Sequence, residues 1–345
     1  MNSRERMCKV LNHEIPDRVP TFEYGIDKKV VEAICPAGTY ADVVEALDLD
    51  AITAIEPSQK RPGDGNGLKP GETFVDEWGV KHRASVEMTA YPLEEDVPIR
   101  NESDLKNYTP PDPNLESRYA VLREYVKRFR GERLISYANN DMFELSKYLM
   151  GTQEFLIAFV ERPHLIKKLL EMTTDWVIQV ANRAIDIGAD MIIDRSDLGF
   201  KTGTLVPPEA IQELFVPCLK RVVDAVKKRR AYIFYHCHGN IWTILDMLIG
   251  TGIDVIHPLA REETMDIGIV KKIFGTKVVV AGNISTDFLS RTSRAEVIDL
   301  VKETISNTSG RGGHILMAAS SILSSVNPDN YRAMVETVHT YGKYS

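Results

Sequence analysis

Short apolar runs rich in β-branched residues alternate along this chain with longer segments of helical periodicity. Eight runs are predicted as strands, at residues 19–24, 51–55, 134–137, 191–194, 232–236, 255–257, 278–281 and 315–318. The clearest helical segments between them are residues 164–187, 208–228, 242–250, 294–307 and 328–341. A repeated order of strand and helix implies a parallel sheet covered by helices. Eight strands predict a closed (β/α)8 barrel.

One segment, residues 59–122, interrupts this alternation. It begins rich in glycine and proline, continues with an alternating pattern over residues 74–88, and ends near the Pro-Pro-Asp-Pro string at 110–113. This pattern predicts a hairpin and a loop that cap the mouth of the barrel. Because no repeat and no Gly- or Ser-rich linker divides the 345 residues, we expect a single domain, 1–345, with this N-terminal insertion.

Composition excludes several classes of protein. A formal net charge of -7 gives no general attraction for nucleic acid or anionic membrane. The first twenty residues are too charged for a signal peptide, and no apolar run is long enough to span a bilayer. The four cysteines are far apart and form no Cys-x-x-Cys pair, which suits a reducing compartment. We therefore expect a cytoplasmic protein, and leave open whether it forms a homodimer.

The string Tyr232-Ile-Phe-Tyr-His-Cys-His-Gly239 is the most informative for function. On a strand, His236 and His238 point to one face and Cys237 to the other. Two imidazoles at the end of a strand favour a metal site or a proton-handling pair. The alternative is two histidines that are simply hydrogen-bonded at a strand end. We expect His236 and His238 to be catalytic.

In a barrel of this kind, the residues at the carboxyl ends of the strands line the active site. Some residues at strand ends are polar only because strand ends approach solvent. The polar residues that this rule places at the mouth are Glu23, Glu56, Asn139, Asn140, Asp141, Asp194, Ser196, Asp197, His236, His238, His257, Asn283, Ser320 and Ser321. A catalytic zinc needs three protein ligands. His236 and His238 supply two, and the third is left open among Glu23, Glu56, Asp197 and Ser320. A bound metal would polarise a leaving group, which without metal either histidine could protonate.

The remaining candidates have two readings each. Asp197 either acts with the histidines as a catalytic residue or caps its loop and pairs with Arg195. Asn283 either binds substrate or caps the next helix. Aromatic residues near the mouth either stack on an aromatic substrate or pack as core and lid: Trp78, Tyr91, Phe143 and Phe200. The residues predicted to bind substrate are Glu23, Asn140, Phe200, Asn283 and Ser321. No phosphate-binding glycine motif and no Gly-x-Ser-x-Gly string occurs.

Several strings, nearly end to end and in order, resemble the uroporphyrinogen decarboxylase superfamily and, within it, the corrinoid-dependent methyltransferases. They are Asn2-Ser-Arg-Glu-Arg, Leu11-Asn-His-Glu-Ile-Pro-Asp-Arg-Val-Pro20, Phe143-Glu, Leu149-Met-Gly151, Phe155-Leu, Phe215-Val-Pro217, His236 through Asn240-Ile, Ala281-Gly-Asn-Ile-Ser285 and Asn327-Pro-Asp-Asn-Tyr-Arg-Ala-Met334. The resemblance implies the barrel fold and an enzyme.

The chain also departs from the patterns of this superfamily. Decarboxylases that act on porphyrinogens carry an arginine-rich segment after the opening, but Thr21-Phe-Glu-Tyr-Gly-Ile-Asp-Lys-Lys29 has no arginine. Thiol-activating methyltransferases bind zinc through His-x-Cys and a later cysteine. Here the pair is His236 and His238, and the later region reads Met317-Ala-Ala-Ser-Ser-Ile322. Both departures argue against porphyrinogen decarboxylation and against methyl transfer to a thiol.

The resemblance therefore implies a methyltransferase of anaerobic O-demethylation. Its methyl donor would be an O-methyl compound, an aryl methyl ether. Its acceptor would be the Co(I) corrinoid (cobalamin) of a separate corrinoid-binding protein. Zinc is a possible second cofactor. No Asp-x-His-x-x-Gly string for cobalt ligation occurs in this chain, which is why the corrinoid is expected on a partner. The alternatives are a decarboxylase of a small carboxylated substrate on the same barrel, and a non-catalytic binding protein that kept the fold.

Overall fold

The computed structural model describes residues 1–57, 69–85 and 90–344. Its strands are β1 Ala51–Ile55, β2 Thr73–Val75, β3 Lys81–Ala84, β4 Ala90–Pro92, β5 Leu134–Asn140, β6 Met191–Ser196, β7 Gly199–Phe200, β8 Gly203–Thr204, β9 Tyr232–Cys237, β10 Val255–His257, β11 Val279–Ile284 and β12 His314–Ala318. Its α-helices are α1 Ser3–Leu11, α2 Lys28–Ile34, α3 Tyr40–Ala46, α4 Glu102–Asn107, α5 Ala120–Phe129, α6 Met142–Met150, α7 Thr152–Glu161, α8 Pro163–Ile187, α9 Pro208–Ala210, α10 Val216–Lys228, α11 Leu245–Gly250, α12 Ile267–Phe274, α13 Thr286–Arg291, α14 Arg294–Thr308 and α15 Pro328–Tyr341. Among the described residues, no helix is long and apolar enough to cross a membrane.

Seven parallel strands form a curled sheet in the order β1-β5-β6-β9-β10-β11-β12. The gap between its two edges is bridged by the chain at Pro20 and Thr21. The Leu316 amide donates to the Pro20 carbonyl (3.0 Å), and the Asp50 amide donates to the Thr21 carbonyl (2.8 Å). The sheet is thereby closed into a ring, and the predicted barrel is confirmed.

The predicted first strand, 19–24, is present only as isolated bridges, and its assignment as a regular strand was wrong. Pro20 has no N–H to donate to a neighbouring strand. The amide of Thr21 is also diverted from the ladder, because it donates to the Asp50 carboxylate at 2.8 Å. Two consecutive residues therefore lack the backbone donors that a ladder requires.

The core has two layers because parallel strands are buried on both faces. The inner layer fills the barrel with alternate strand residues such as Met191, Phe234 and Met317, and the outer layer lies between the sheet and the helices. Met7 and Val10 of α1 belong to the inner layer, so α1 covers the amino-terminal end of the barrel. The opposite end is the one left accessible.

The helices follow the predicted pattern with local differences. The segment 208–228 is helical throughout, but it contains a π-helical turn, Ile211–Phe215, between α9 and α10. Pro217 has no N–H and its ring crowds the carbonyl four residues earlier, which favours such a widened turn. The helix predicted at 242–250 begins only at Leu245.

Between β1 and β5 the chain forms an antiparallel sheet in the order β2-β3-β4. Trp78 of this segment is 3% exposed and packs edge to face on Trp176 of α8, with ring centroids 4.7 Å apart. Phe143 is fully buried against Phe155 and Phe215. Trp78 and Phe143 are therefore packing residues. The first, glycine- and proline-rich part of the predicted insertion and the end of its alternating pattern, residues 59–68 and 86–88, lie outside the described ranges.

Candidate functional site

A cavity of about 450 Å³ opens at the carboxyl ends of the barrel strands. Side chains from the ends of β5, β6, β9 and β12, from the segment before α2, from helices α6 and α7 and from β4 of the small sheet surround it. They are Tyr24, Ala90, Tyr91, Pro92, Asn140, Glu144, Lys147, Tyr148, Thr152, Arg195, Ser196, Asp197, His236, His238, Ser320, Ser321 and Leu323. Because β4 contributes Ala90, Tyr91 and Pro92, the small sheet forms part of the wall at the mouth.

A chain of hydrogen bonds fixes the tautomer of His236. The carbonyl of Ala318 can only accept, so Nε2 of His257, 2.9 Å away, donates to it. Burial lowers the pKa of His257 to about 3, so its ring is neutral and its Nδ1 carries no proton. Nδ1 of His236 lies 2.7 Å from that nitrogen and must donate.

The same chain leaves His236 with a free lone pair. Burial and the charges of His238, His257 and Arg195 hold the pKa of His236 well below its usual value, so the ring is neutral. With the proton on Nδ1, Nε2 is a bare acceptor, and no described residue donates to it. His236 lines the cavity and offers it an acceptor rather than a donor.

His238 has the opposite character. Its Nδ1 lies 2.7 Å from Oε1 of Glu263, which follows β10. Burial lowers the pKa of His238, but the Glu263 hydrogen bond and the charges of Asp197, Glu263 and Glu262 outweigh it and raise the pKa overall. A protonated imidazole donates from both nitrogens. The rings of His236 and His238 are 4.8 Å apart, so an acceptor and a donor stand side by side.

Two glycines bring the loop that carries Asp197 against the loop that carries His238. The Gly199 amide donates to the His238 carbonyl at 3.1 Å. Gly239 has φ +100°, and a Cβ added there would lie 2.1 Å from the carbonyl carbon of Gly199. Only glycine tolerates both that backbone conformation and that approach. The two loops are thereby held in contact at the rim of the cavity.

Helix α6 supplies a side of the cavity that the sequence did not indicate. Asp141 caps the helix by accepting from the amides of Phe143 and Glu144 at 2.9 and 3.0 Å. Glu144 pairs with Lys147 at 2.6 Å, and burial raises the pKa of Glu144 in spite of that pairing. The sequence does contain a signal for this side of the cavity. Glu144, Lys147 and Tyr148 are spaced to lie on one face of a short capped helix that directly follows a strand.

The cavity brings together most of the residues predicted for the site. His236, His238, Asp197, Asn140, Ser320 and Ser321 all line it. Their predicted roles as catalytic, substrate-binding or ligand groups remain predictions.

Four of the residues predicted to be catalytic, to bind substrate or to ligate a metal do not line the cavity. Glu23 is fully buried and accepts from the Ala318 amide at 2.9 Å, while its neighbour Tyr24 lines the cavity, because successive side chains point to opposite faces. Asn283 is buried and donates to the Leu259 carbonyl at 3.2 Å. Phe200 is 62% exposed beyond the rim.

The fourth, Glu56, is ion-paired with Arg118, which also binds both carboxylate oxygens of Glu77. Glu56 is therefore already engaged as a counter-ion, and its role as a third zinc ligand stays a prediction. Within residues 1–57, 69–85 and 90–344, no three His, Cys, Asp or Glu side chains are grouped closely enough to hold a metal. The described residues as they are arranged thus do not fit a three-ligand zinc site. Zinc stays a prediction, to be tested by metal analysis.

Comparison with known proteins gives two kinds of similarity. The family model for uroporphyrinogen decarboxylase (URO-D) matches residues 86–341. Among curated relatives, the uroporphyrinogen decarboxylase of Azoarcus sp. (strain BH72) is 24% identical over 261 residues, 71% of this chain and 70% of that protein. The enzyme of the same name from Nitrosomonas europaea is 27% identical over 261 residues, 70% of this chain and 69% of that protein.

Solved structures show the same fold. A methyltransferase from Methanosarcina mazei superposes with a TM-score of 0.76 at 17% identity, covering 98% of each chain. A B12-independent methionine synthase from Shewanella sp. W3-18-1 superposes with a TM-score of 0.54 at 11% identity, covering 87% of this chain and 83% of that one. At these identities the superpositions establish the barrel architecture.

Proposed function

We propose that this chain, which belongs to the uroporphyrinogen decarboxylase (URO-D) family, is a methyltransferase. It acts on an O-methyl donor, an aryl methyl ether. The acceptor is the Co(I) corrinoid of a separate protein, which supplies the nucleophile. The absence of arginine from residues 21–29 and the similarity of the fold to a methyltransferase support this choice over porphyrinogen decarboxylation. Four unpaired cysteines suit a cytoplasmic setting.

The observation that carries the proposal is the pair of imidazoles at the mouth. Removing a methyl group from an aryl ether leaves a phenolate oxygen, and stabilising that oxygen is the step in which the protein can lower the barrier. His238, held as an imidazolium by Glu263, donates a hydrogen bond or its proton to this oxygen. The neutral His236, whose Nε2 carries no proton, does not compete for that role.

The test is an anoxic assay of the purified protein with cob(I)alamin and 4-methoxybenzoate or 4-methoxybenzyl alcohol. We expect loss of the Co(I) absorbance together with release of the corresponding phenol. The assay is repeated with added zinc and with candidate corrinoid proteins. If no donor yields a phenol in any of these mixtures, methyl transfer is not the activity of this protein.

A second candidate is decarboxylation of a small carboxylated substrate. It is favoured by the names of the curated relatives, which cover about 70% of this chain. In that reaction the imidazolium of His238 would protonate the carbon that loses CO2. Release of CO2 from a carboxylated substrate without any corrinoid would identify it.

The pH dependence of methyl transfer should report the protonation of His238. A raised pKa means that the imidazolium persists above pH 6.5, so activity is present at low pH and falls as the pH rises through the folded-state pKa. Glu263→Gln removes the carboxylate that supports the charge, and we expect the descending limb to move to lower pH. The measurement is the pH profile of kcat/KM for both proteins. An unchanged limb would rule out His238 as the titrating donor.

A further inference from the structure

One charged group that lines the cavity has no counter-ion. Arg195 ends β6 and uses two of its guanidinium N–H groups in hydrogen bonds, from Nε to the Asn139 carbonyl at 3.3 Å and from Nη2 to Oδ1 of Asn140 at 3.0 Å. No carboxylate of the described residues lies within 4.0 Å of it as an ion-pair partner. Three N–H groups of the five remain uncommitted. Charged side chains withdrawn from solvent are normally paired, so an unpaired arginine in a cleft suggests a missing anion.

The other two positive groups of the cavity already have ion-pair partners. Lys147 pairs with Glu144 at 2.6 Å, and His238 pairs with Glu263 at 2.7 Å. Asp197 is the remaining carboxylate on the wall, and its charge acts on His238 by raising the pKa of that ring. Asp197 and Arg195 form no ion pair within 4.0 Å. Arg195 is therefore left as the positive group of the cavity without an ion-pair partner.

The neighbouring acid on the strand is not a substitute partner. Asp194 precedes Arg195 and points to the opposite face of β6. It accepts from Nδ2 of Asn139 at 2.7 Å, and burial raises its pKa to about 7, so it is only partly ionised at neutral pH. The usual explanation of an arginine at a strand end, an ion pair with the adjacent acid, does not apply.

Asn140 adds donors to the same place. Because its Oδ1 accepts from Arg195, the orientation of its amide is fixed and its Nδ2 must be a donor. Asn140 is 9% exposed and lines the cavity, and no described group accepts from that Nδ2. The uncommitted polar atoms of the Arg195 and Asn140 side chains are therefore all N–H groups. A set of donors with one formal positive charge matches a carboxylate, whose two oxygens fit the fork of a guanidinium.

We propose that Arg195 and Asn140 form a carboxylate-binding subsite, and that the methyl donor is a carboxylated methyl ether. The carboxylate is held at Arg195 and the ether oxygen is presented to His238. The assignment of the ether rests on the proposed function, whereas the carboxylate subsite rests on the geometry of Arg195 and Asn140 alone. A cavity of about 450 Å³ is large enough for a substituted benzoate.

The experiment is isothermal titration calorimetry of the whole protein, without corrinoid, using two probes of similar shape: 4-methoxybenzoate and the neutral 4-methoxybenzyl alcohol. We expect the benzoate to bind at least about 10-fold more tightly than the alcohol, because hydrogen bonds to charged groups are worth more than neutral ones. In Arg195→Met the benzoate should lose about 10- to 100-fold in affinity, with little change for the alcohol. Arg195→Lys should restore part of the preference. Equal affinities in the unaltered protein, or a preference that survives Arg195→Met, would overturn the subsite.

Two further variants keep the test independent of folding defects. Asn140→Asp places a carboxylate beside the guanidinium while preserving shape, so it should abolish the preference for benzoate and leave alcohol binding intact. Arg130→Met removes an exposed arginine from the opposite end of the barrel and should change neither affinity. If Arg130→Met weakens benzoate binding as much as Arg195→Met does, the attraction is general and the subsite is wrong.

The outcomes for the subsite and for methyl transfer can be told apart. Preferential binding of benzoate without any demethylation would support the subsite and overturn the methyltransferase proposal. Demethylation of the alcohol and the benzoate with equal kcat/KM would support methyl transfer and overturn the subsite.

Discussion

Replacing His238 with glutamine is expected to lower the rate of methyl transfer by about 10²- to 10⁴-fold, the usual contribution of a positioned proton donor. Glutamine keeps a hydrogen-bonding side chain but cannot carry the positive charge that Glu263 stabilises in His238. Departing phenolate would then face a neutral amide, which stabilises it less. The measurement is the initial rate of phenol release at saturating donor.

A matched control separates this effect from a general loss of histidine. His164→Gln changes an exposed histidine at the start of α8, outside the cavity, and should leave the rate unaltered. Binding of the neutral alcohol probe should also persist in His238→Gln if the cavity keeps its shape. A His238→Gln protein that demethylates at the normal rate would refute the donor role.

Removing the carboxylate of Asp50 should lower the free energy of unfolding by about 3–5 kcal/mol, because two buried arginines, Arg6 and Arg18, lose the buried carboxylate that they share. Asp50 is fully buried and accepts from Arg6 at 2.5 Å and from Arg18 at 2.7 Å. It also accepts from the amide of Thr21, at the point where the barrel is closed. Asp50→Ala therefore weakens both the ion cluster and the closure. The measurement is equilibrium unfolding in urea.

Asp48→Ala is the appropriate control. Asp48 also contacts Arg18, at 3.4 Å, but its side chain is 60% exposed. Exposed ion pairs contribute little, so we expect a loss below about 1 kcal/mol. Similar losses from Asp48→Ala and Asp50→Ala would mean that burial does not determine the strength of this cluster.

The barrel was largely predictable from the sequence, for a physical reason. Strands buried on both faces read as apolar runs, and helices that cover a sheet read with a period near 3.6. The segment at 19–24 has the same composition, but Pro20 and the diverted amide of Thr21 keep it from forming a ladder. This diversion depends on Asp50, 29 residues after Thr21, and no local pattern reveals it.

The candidate site was predictable only in part. The rule that strand ends line the mouth located His236, His238, Asp197 and Asn140 in the cavity. The rule wrongly placed the side chain of Glu23 in the cavity. Neighbouring residues of an extended segment point to opposite faces, so an error of one residue exchanges the faces. Because residues 19–24 do not form a regular strand, the sequence does not show which of them face the cavity.

Other features of the site depend on contacts across the chain. The pairing of His236 with His257, and of His238 with Glu263, joins residues 21 and 25 positions apart on different strand ends. The proton positions that follow from these contacts decide which imidazole donates. No spacing within the sequence encodes them.

The closure of the barrel has a consequence for synthesis of the protein. The Pro20 carbonyl bonds the amide of Leu316, and the Val19 amide bonds the carbonyl of Gly342 at 2.8 Å. Until β12 has left the ribosome, the segment at Pro20 and Thr21, which lies beside β1, therefore has no strand on its other side. Exposed strand edges are prone to pair with other chains. The interval before β12 emerges is when a chaperone would be needed most.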